Sequence, residues 1–172
     1  MELSIAAALK LPGEIFSEVR NETIAPQEFG GNTVSFPEPV RIGFTYTFDG
    51  ESIAINGTIE AKLSSRCARC DEPFVETLQI PLEERFVKGT SGDDEESYTF
   101  AGEMLDLTPM LMDNLFLNMP ISSVCSADCK GLCPVCGCNL NTAQCACKRE
   151  PDEEPPSPLA ALGSLFDDGK EV

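Results

Sequence analysis

Nine cysteines, Cys67, Cys70, Cys125, Cys129, Cys133, Cys136, Cys138, Cys145 and Cys147, are the residues whose type and spacing could do chemistry in this chain. Thiolates are soft ligands, and the separations C-x2-C, C-x3-C, C-x2-C-G and C-x-C let neighbouring sulfurs share one ion. Cys133-Pro134-Val135-Cys136-Gly137 has the form of a zinc knuckle, with a glycine that permits the tight turn after the second cysteine. Its expected partner is Cys145-Ala146-Cys147, which closes one four-cysteine site. Cys67 and Cys70 then pair with Cys125 and Cys129 in a second, and Cys138 is a spare thiol.

The chain has no histidine, so mixed Cys/His sites are excluded. Two structural zinc ions are the expectation. An iron–sulfur cluster is the weaker alternative, since thiolate spacing alone does not choose the metal. Disulfides fit a reducing compartment poorly. A catalytic zinc keeps an open position and normally a His or carboxylate ligand, whereas four cysteines fill the shell. Arg66, Arg69, Lys130, Lys148 and Arg149 lie beside cysteines although the chain holds only 12 basic residues, as expected if they offset metal–thiolate charge.

The elements that must position these thiols read as α+β: an antiparallel β-sheet meander with a packed helix and a C-terminal all-cysteine zinc module. Met1 to Thr23 reads as strand, short helix or turn, and strand. Ala25 to Pro39, broken by Pro and Gly, is a loop or weak hairpin. Val40 to Phe48 alternates with period two, Asp49-Gly50 is a hairpin turn, and Ile53 to Leu63 repeats the alternation, with Gly57 marking a bulge. Phe74 to Val87 is a third strand, so the first cysteine pair sits at the turn before it.

Residues 88–102 hold an acidic Gly/Ser-rich run and read as an internal linker. Leu105 to Met119 reads as a helix, capped by Asp106 or Thr108 and ended by Pro120. Met112, Leu115, Phe116 and Met119 form its apolar stripe, and Leu107, Leu111 and Leu117 broaden it until the helix is almost unexposed. The domain expectation is therefore a core over 1–120, a cysteine-rich module over 121–149, and an acidic Pro-rich linker with a short amphipathic tail over 150–172. The module holds seven of the nine cysteines and little apolar area, so it needs a metal staple to fold.

At Cys67-Ala-Arg-Cys70 and at Cys125-x3-Cys129-Lys130-Gly131-Leu132-Cys133-Pro134-x-Cys136-Gly137-x-Asn139-Leu140-Asn141-x3-Cys145-x-Cys147 the sequence resembles the YceD family. That family is named for large-subunit ribosomal RNA accumulation. The resemblance extends from about residue 1 to 166 and implies a non-enzymatic factor for accumulation or processing of large-subunit ribosomal RNA. Two departures are visible. Pro156-Ser157-Pro158-Leu159 lacks the arginine of a family Asp-Pro-Arg-like element, and Cys138 is an extra cysteine.

A net charge of −17 opposes extensive contact with a polyanion and favours a basic partner protein. The first functional expectation is thus a factor acting through a ribosomal protein, a ribonuclease or a ribosome precursor. The alternative is direct RNA binding by Arg66, Arg69, Lys130, Lys148 and Arg149 gathered on one face. No residues are assigned to catalysis: there is no histidine base, no phosphate-binding glycine loop and no nucleophile motif. Adjacent Glu83 and Glu84 point to opposite faces of a strand and cannot act as a facing pair. Leu159, Leu162, Leu165 and Phe166 form a stripe that either clasps the chain's own domain or docks in a partner's groove. No leader peptide or membrane span is read, so the expected location is the cytoplasm.

Overall fold

In the computed structural model, which describes residues 1–29, 32–89 and 98–147, the chain opens with β1 (Glu2–Ser4), the short helix α1 (Ala6–Lys10) and β2 (Phe16–Glu22). The Pro/Gly-rich stretch that follows forms a small hairpin, β3 (Gln27–Phe29) with β4 (Asn32–Val34). Three long strands come next: β5 (Val40–Phe48), β6 (Ser52–Arg66) and β7 (Pro73–Lys88). They exist because apolar side chains alternate. Val40, Ile42, Phe44, Tyr46 and Phe48 face the core from β5, Ile53, Ile55, Ile59, Ala61 and Leu63 from β6, and Ile80, Leu82 and Phe86 from β7.

The Asp49-Gly50 turn is built as the sequence predicts. Asp49 accepts hydrogen bonds from the backbone N–H groups of Glu51 and Ser52 at 2.9 and 2.7 Å, and Gly50 has φ of 108°. Gly57 marks no bulge. The β5–β6 register runs without interruption from Arg41↔Glu60 to Phe48↔Ile53. Gly57 is needed because a Cβ there would stand 2.2 Å from the carbonyl oxygen of Gly43; its role is close approach of two backbones.

Two further strands, β8 (Tyr98–Phe100) and β9 (Met104–Asp106), precede the helix α2 (Thr108–Asn118). Both correct the sequence reading. The stretch 88–102 is not linker throughout, because β8 pairs with β7 in parallel, Phe86↔Tyr98 to Lys88↔Phe100. Phe100 is buried and Tyr98 stacks on Phe86 with ring centroids 5.1 Å apart. The sheet order β2-β5-β6-β7-β8 is thus a meander with one parallel edge.

The helix begins later than Leu105, since Met104–Asp106 is claimed by pairing with β1. The expected cap is not made: Leu107 is the N-cap and has no side-chain cap bond, while Asp106, one residue earlier, accepts the Thr108 N–H at 2.9 Å. The helix's buried stripe is Leu107, Met110, Leu111, Asn114 and Leu115. The helix is not almost unexposed: Leu117 is 83% exposed, although it stands seven residues on from the buried Met110, near the end of the helix. Asn114 tolerates burial through bonds to Glu84 and the Met110 carbonyl.

The first compact unit is Met1–Cys129 and the second starts at Lys130. Cys125 and Cys129 fall in the first because their sulfurs lie against the hairpin tip between β6 and β7. Within the second unit a bridge between Leu132 and Asn139 is the regular pairing among the described residues. Lys148, Arg149, Leu159, Leu162, Leu165, Phe166 and the tail expected over 150–172 lie outside the described residues.

Candidate metal centre

The β6–β7 hairpin ends in Cys67-Ala68-Arg69-Cys70, whose backbone folds into a knuckle. The N–H of Asp71 donates to the Cys67 carbonyl at 2.9 Å, and the N–H of Arg69 points at the Cys67 sulfur at 3.4 Å. Asp71 adopts φ of 57°, the left-handed conformation that favours glycine and that Asp tolerates better than most residues. Arg66 holds it there, donating to the Asp71 carbonyl at 2.8 Å and to its carboxylate at 3.0 Å.

The segment after α2 comes back to this tip. Ala68 N–H bonds the Ser123 carbonyl, Cys125 N–H points at the Cys67 sulfur, and Arg69 donates to the carbonyls of Ala127 and Cys129. The sulfurs of Cys67, Cys70, Cys125 and Cys129 all lie within 4.8 Å of one another, Cys67–Cys129 at 3.8 Å and Cys70–Cys125 at 3.7 Å. Cys67, Cys70 and Cys129 are buried, with Phe74 packed against them.

The second unit repeats the design. Gly137 N–H donates to the Cys133 carbonyl at 2.8 Å and Gly137 has φ of 72°, so Gly137 and Asp71 are equivalent positions of two knuckles. Cys133, Cys136, Cys145 and Cys147 also lie within 4.8 Å of one another, Cys145–Cys133 at 3.5 Å. Asn139 and Asn141 lock the loop between them. The Asn141 carboxamide oxygen accepts the Lys130 N–H, the Asn139 carboxamide oxygen accepts the Asn141 N–H, and Ala143 N–H bonds the Asn139 carbonyl. This role of Asn139 and Asn141 is not among the expectations from the sequence; its signal is two Asx residues just after the Gly137 turn.

The donor sets fit a tetrahedral thiolate metal. Four sulfurs at roughly 2.3 Å from a central Zn²⁺ are about 3.8 Å apart, close to the separations here. All nine thiols are free. Their acidities pull apart as crowded thiols without a cation must. Cys67 is drawn down to about 6 by the backbone N–H of Cys125 and, against burial, by those of Cys70 and Arg69. Cys70 feels a lowering N–H from Glu72, but burial and the sulfurs of Cys67, Cys129 and Cys125 push it up to about 12. Cys133 falls to about 6 through the N–H groups of Cys136 and Val135, while hydrogen bonding to the Cys136 sulfur, with burial, pushes Cys147 up to about 12. A bound divalent cation supplies the positive charge that lets all four members of a set ionise.

Cys138 belongs to neither set of four, yet it is no remote spare. The sulfurs of Cys136 and Cys145 hydrogen-bond it and, with burial, push it up to about 12, while its carbonyl accepts the Cys133 N–H. Among the basic residues beside cysteines, Arg66 and Arg69 are engaged in building the first knuckle, and Lys130 lies in the second unit. Glu83 and Glu84 point to opposite faces as expected, with Glu84 accepting from Asn114.

Both knuckles, the helix between them and the Asn139-Leu140-Asn141 lock fall inside a region matched by the family model described as large ribosomal RNA subunit accumulation protein YceD, residues 55–166. The chain belongs to the YceD family. Relatives include an uncharacterized protein of Mycobacterium tuberculosis, 30% identical over 147 residues that cover 81% of this chain and 70% of the relative. Two plant proteins named large ribosomal RNA subunit accumulation protein YCED homolog 1, chloroplastic, are each 25% identical: that of Arabidopsis thaliana over 72% of this chain and 48% of its own length, that of Zea mays over 64% and 49%. The chain thus spans about half the length of these plant members of the YceD family. No solved structure matches. Among the described residues no helix is long and apolar enough to cross a membrane.

Proposed function

We propose that this YceD-family chain is a non-enzymatic factor in large-subunit ribosomal RNA accumulation that holds two structural zinc ions and acts by binding a basic partner protein. The observation that carries the reading is the family match over residues 55–166, in a chain of net charge −17. Zinc in each four-thiol set would close the coordination shell and leave no position for substrate, so the metals serve as crosslinks. The first would tie the β6–β7 tip to the segment after α2, the second would staple a unit poor in buried apolar area. The partner is a ribosomal protein, a ribonuclease or a ribosome precursor, met in a compartment reducing enough to keep nine thiols free, with the cytoplasm as the proposed site.

Direct RNA recognition is supported less well. Two of the five basic residues on which it depends, Arg66 and Arg69, are tied to the knuckle backbone and to Asp71. The test is native purification of the tagged chain at physiological salt, with metal analysis and identification of what accompanies it. Two zinc ions per chain and a basic protein of the large ribosomal subunit pathway are expected. A metal-free folded chain would overturn the zinc assignment. Capture of RNA that survives removal of all other proteins and falls steeply with salt would replace the protein-partner reading with the RNA one.

A further inference from the structure

The strand β7 is 16 residues long, and β8 covers only its last three. Among the described residues no strand pairs with the outer side of residues 73–85. The direction of its backbone groups follows from a neighbour. Ser64 of β6 donates its N–H to the Ser35 carbonyl and accepts from the Ser35 N–H, at 2.8 and 3.2 Å, so both its polar groups point away from β7. Val75, opposite Ser64, is then the non-hydrogen-bonded partner. By alternation Val75, Thr77, Gln79, Pro81 and Glu83 all turn their backbone groups toward the open edge. Pro81 agrees with this, since a residue without an N–H loses no ladder bond at that position.

The core side of the same stretch is incompletely covered. Phe74 and Leu78 are only partly buried, and between them one carboxylate oxygen of Glu76 is buried without a hydrogen-bond partner among the described residues. An apolar, cationic, apolar sequence at alternate positions of an added strand would cover both side chains and pair the carboxylate. Glu83 and Glu84 add negative charge farther along.

We infer that the edge of β7 from Phe74 to Ile80 is a docking site for an extended basic segment of a partner protein, which adds to the sheet as a further antiparallel or parallel strand. This rests on the proposed binding of a basic protein and says where and how that binding occurs. Main-chain bonds to Val75, Thr77 and Gln79 give affinity, and a Lys or Arg opposite Glu76 gives selectivity.

The probe is the acetylated, amidated peptide Thr-Val-Thr-Lys-Thr-Val-Thr added to the full zinc-loaded chain. Amide exchange at Val75, Thr77 and Gln79 should slow by about tenfold at saturation. Thr77→Pro places a second proline at the tolerated parity of Pro81 and should abolish this protection while circular dichroism and melting temperature stay near wild type. Glu76→Gln leaves every backbone group in place and should weaken binding about fivefold, with loss of salt dependence. Absence of protection in the wild type, equal protection in both variants, or a dimer of the chain that occupies the edge in place of the peptide would overturn the inference. Tagged wild type and Thr77→Pro separate the two claims. Equal capture of a basic protein by both overturns edge docking and leaves the broader reading standing, whereas no capture by either overturns the broader reading together with the edge.

Discussion

Asp71 shows how a single backbone angle shapes a metal-ready turn. At φ of 57° it does what Gly137 does in the second knuckle, so Asp71→Gly should retain metal and fold, although the Arg66 ion pair is lost. Asp71→Val should strain the turn by about 1–3 kcal/mol and lower the melting temperature by several degrees; an unchanged melt in thermal denaturation would remove the argument. At the same scale Gly57→Ala drives a methyl into the Gly43 carbonyl and Phe44 backbone. Overpacking of this kind costs about 1–3 kcal/mol, measurable as a lower urea midpoint with unchanged slope. Cysteine identity also matters residue by residue. Cys67→Ser should lower both metal content and melting temperature more than Cys138→Ser, since Cys67 belongs to a set of four and Cys138 does not. Equal shifts for the two would mean that Cys138 is a ligand.

Among elements, the β5–β6 hairpin carries the clearest pH signature. The Asp49 carboxyl is held down to about 2, first by the N–H groups of Glu51 and Ser52, then by the Ser52 hydroxyl, with Arg85 adding attraction. Because its folded value lies below the ordinary 3.8, its contribution is fully present above that ordinary value and is lost as pH falls through about 2. Asp49→Asn should therefore reduce the melting temperature at neutral pH and converge with wild type in acid; a difference that persists unchanged at low pH would assign the turn's stability to something other than the carboxylate. The helix α2 teaches a different point. Its apolar run included Leu117, which stays exposed, while Leu107, Met110, Leu111, Leu115 and Met119 reach the core with Met112 and Phe116 packed against it. The strand pairing of Met104–Asp106 with β1 sets where the helix can begin.

On the scale of the molecule, the two thiol sets differ in shelter. Three of four cysteines are buried in the first, whereas in the second Cys136 is exposed and Cys145 and Cys147 are intermediate. With both sets filled by zinc as proposed, its release to a chelator or a thiol reagent is expected to be biphasic, one ion leaving quickly from the second set and one slowly from the first. Cys136→Ser should delete the fast phase and Cys67→Ser the slow one. A single phase for both ions would show that shelter does not set their lability.

The sequence alone determined which cysteines stand as close pairs, because short C-x-x-C turns are local geometry and the chain offers no histidine to compete. The return of Cys125 and Cys129 to Cys67 and Cys70, by contrast, is made by tertiary contacts 55 to 62 residues apart. The sequence also determined β5, β6 and β7, whose period-two alternation has one face to bury. Tertiary structure decided what depends on partners distant in sequence: that β8 would close against β7 in parallel, that Gly57 would serve backbone approach where a bulge was expected, and that Arg66 and Arg69 would be occupied in the knuckle. None of these has a local signal, since each follows from which backbone atoms a neighbouring strand or loop brings within hydrogen-bonding or van der Waals distance.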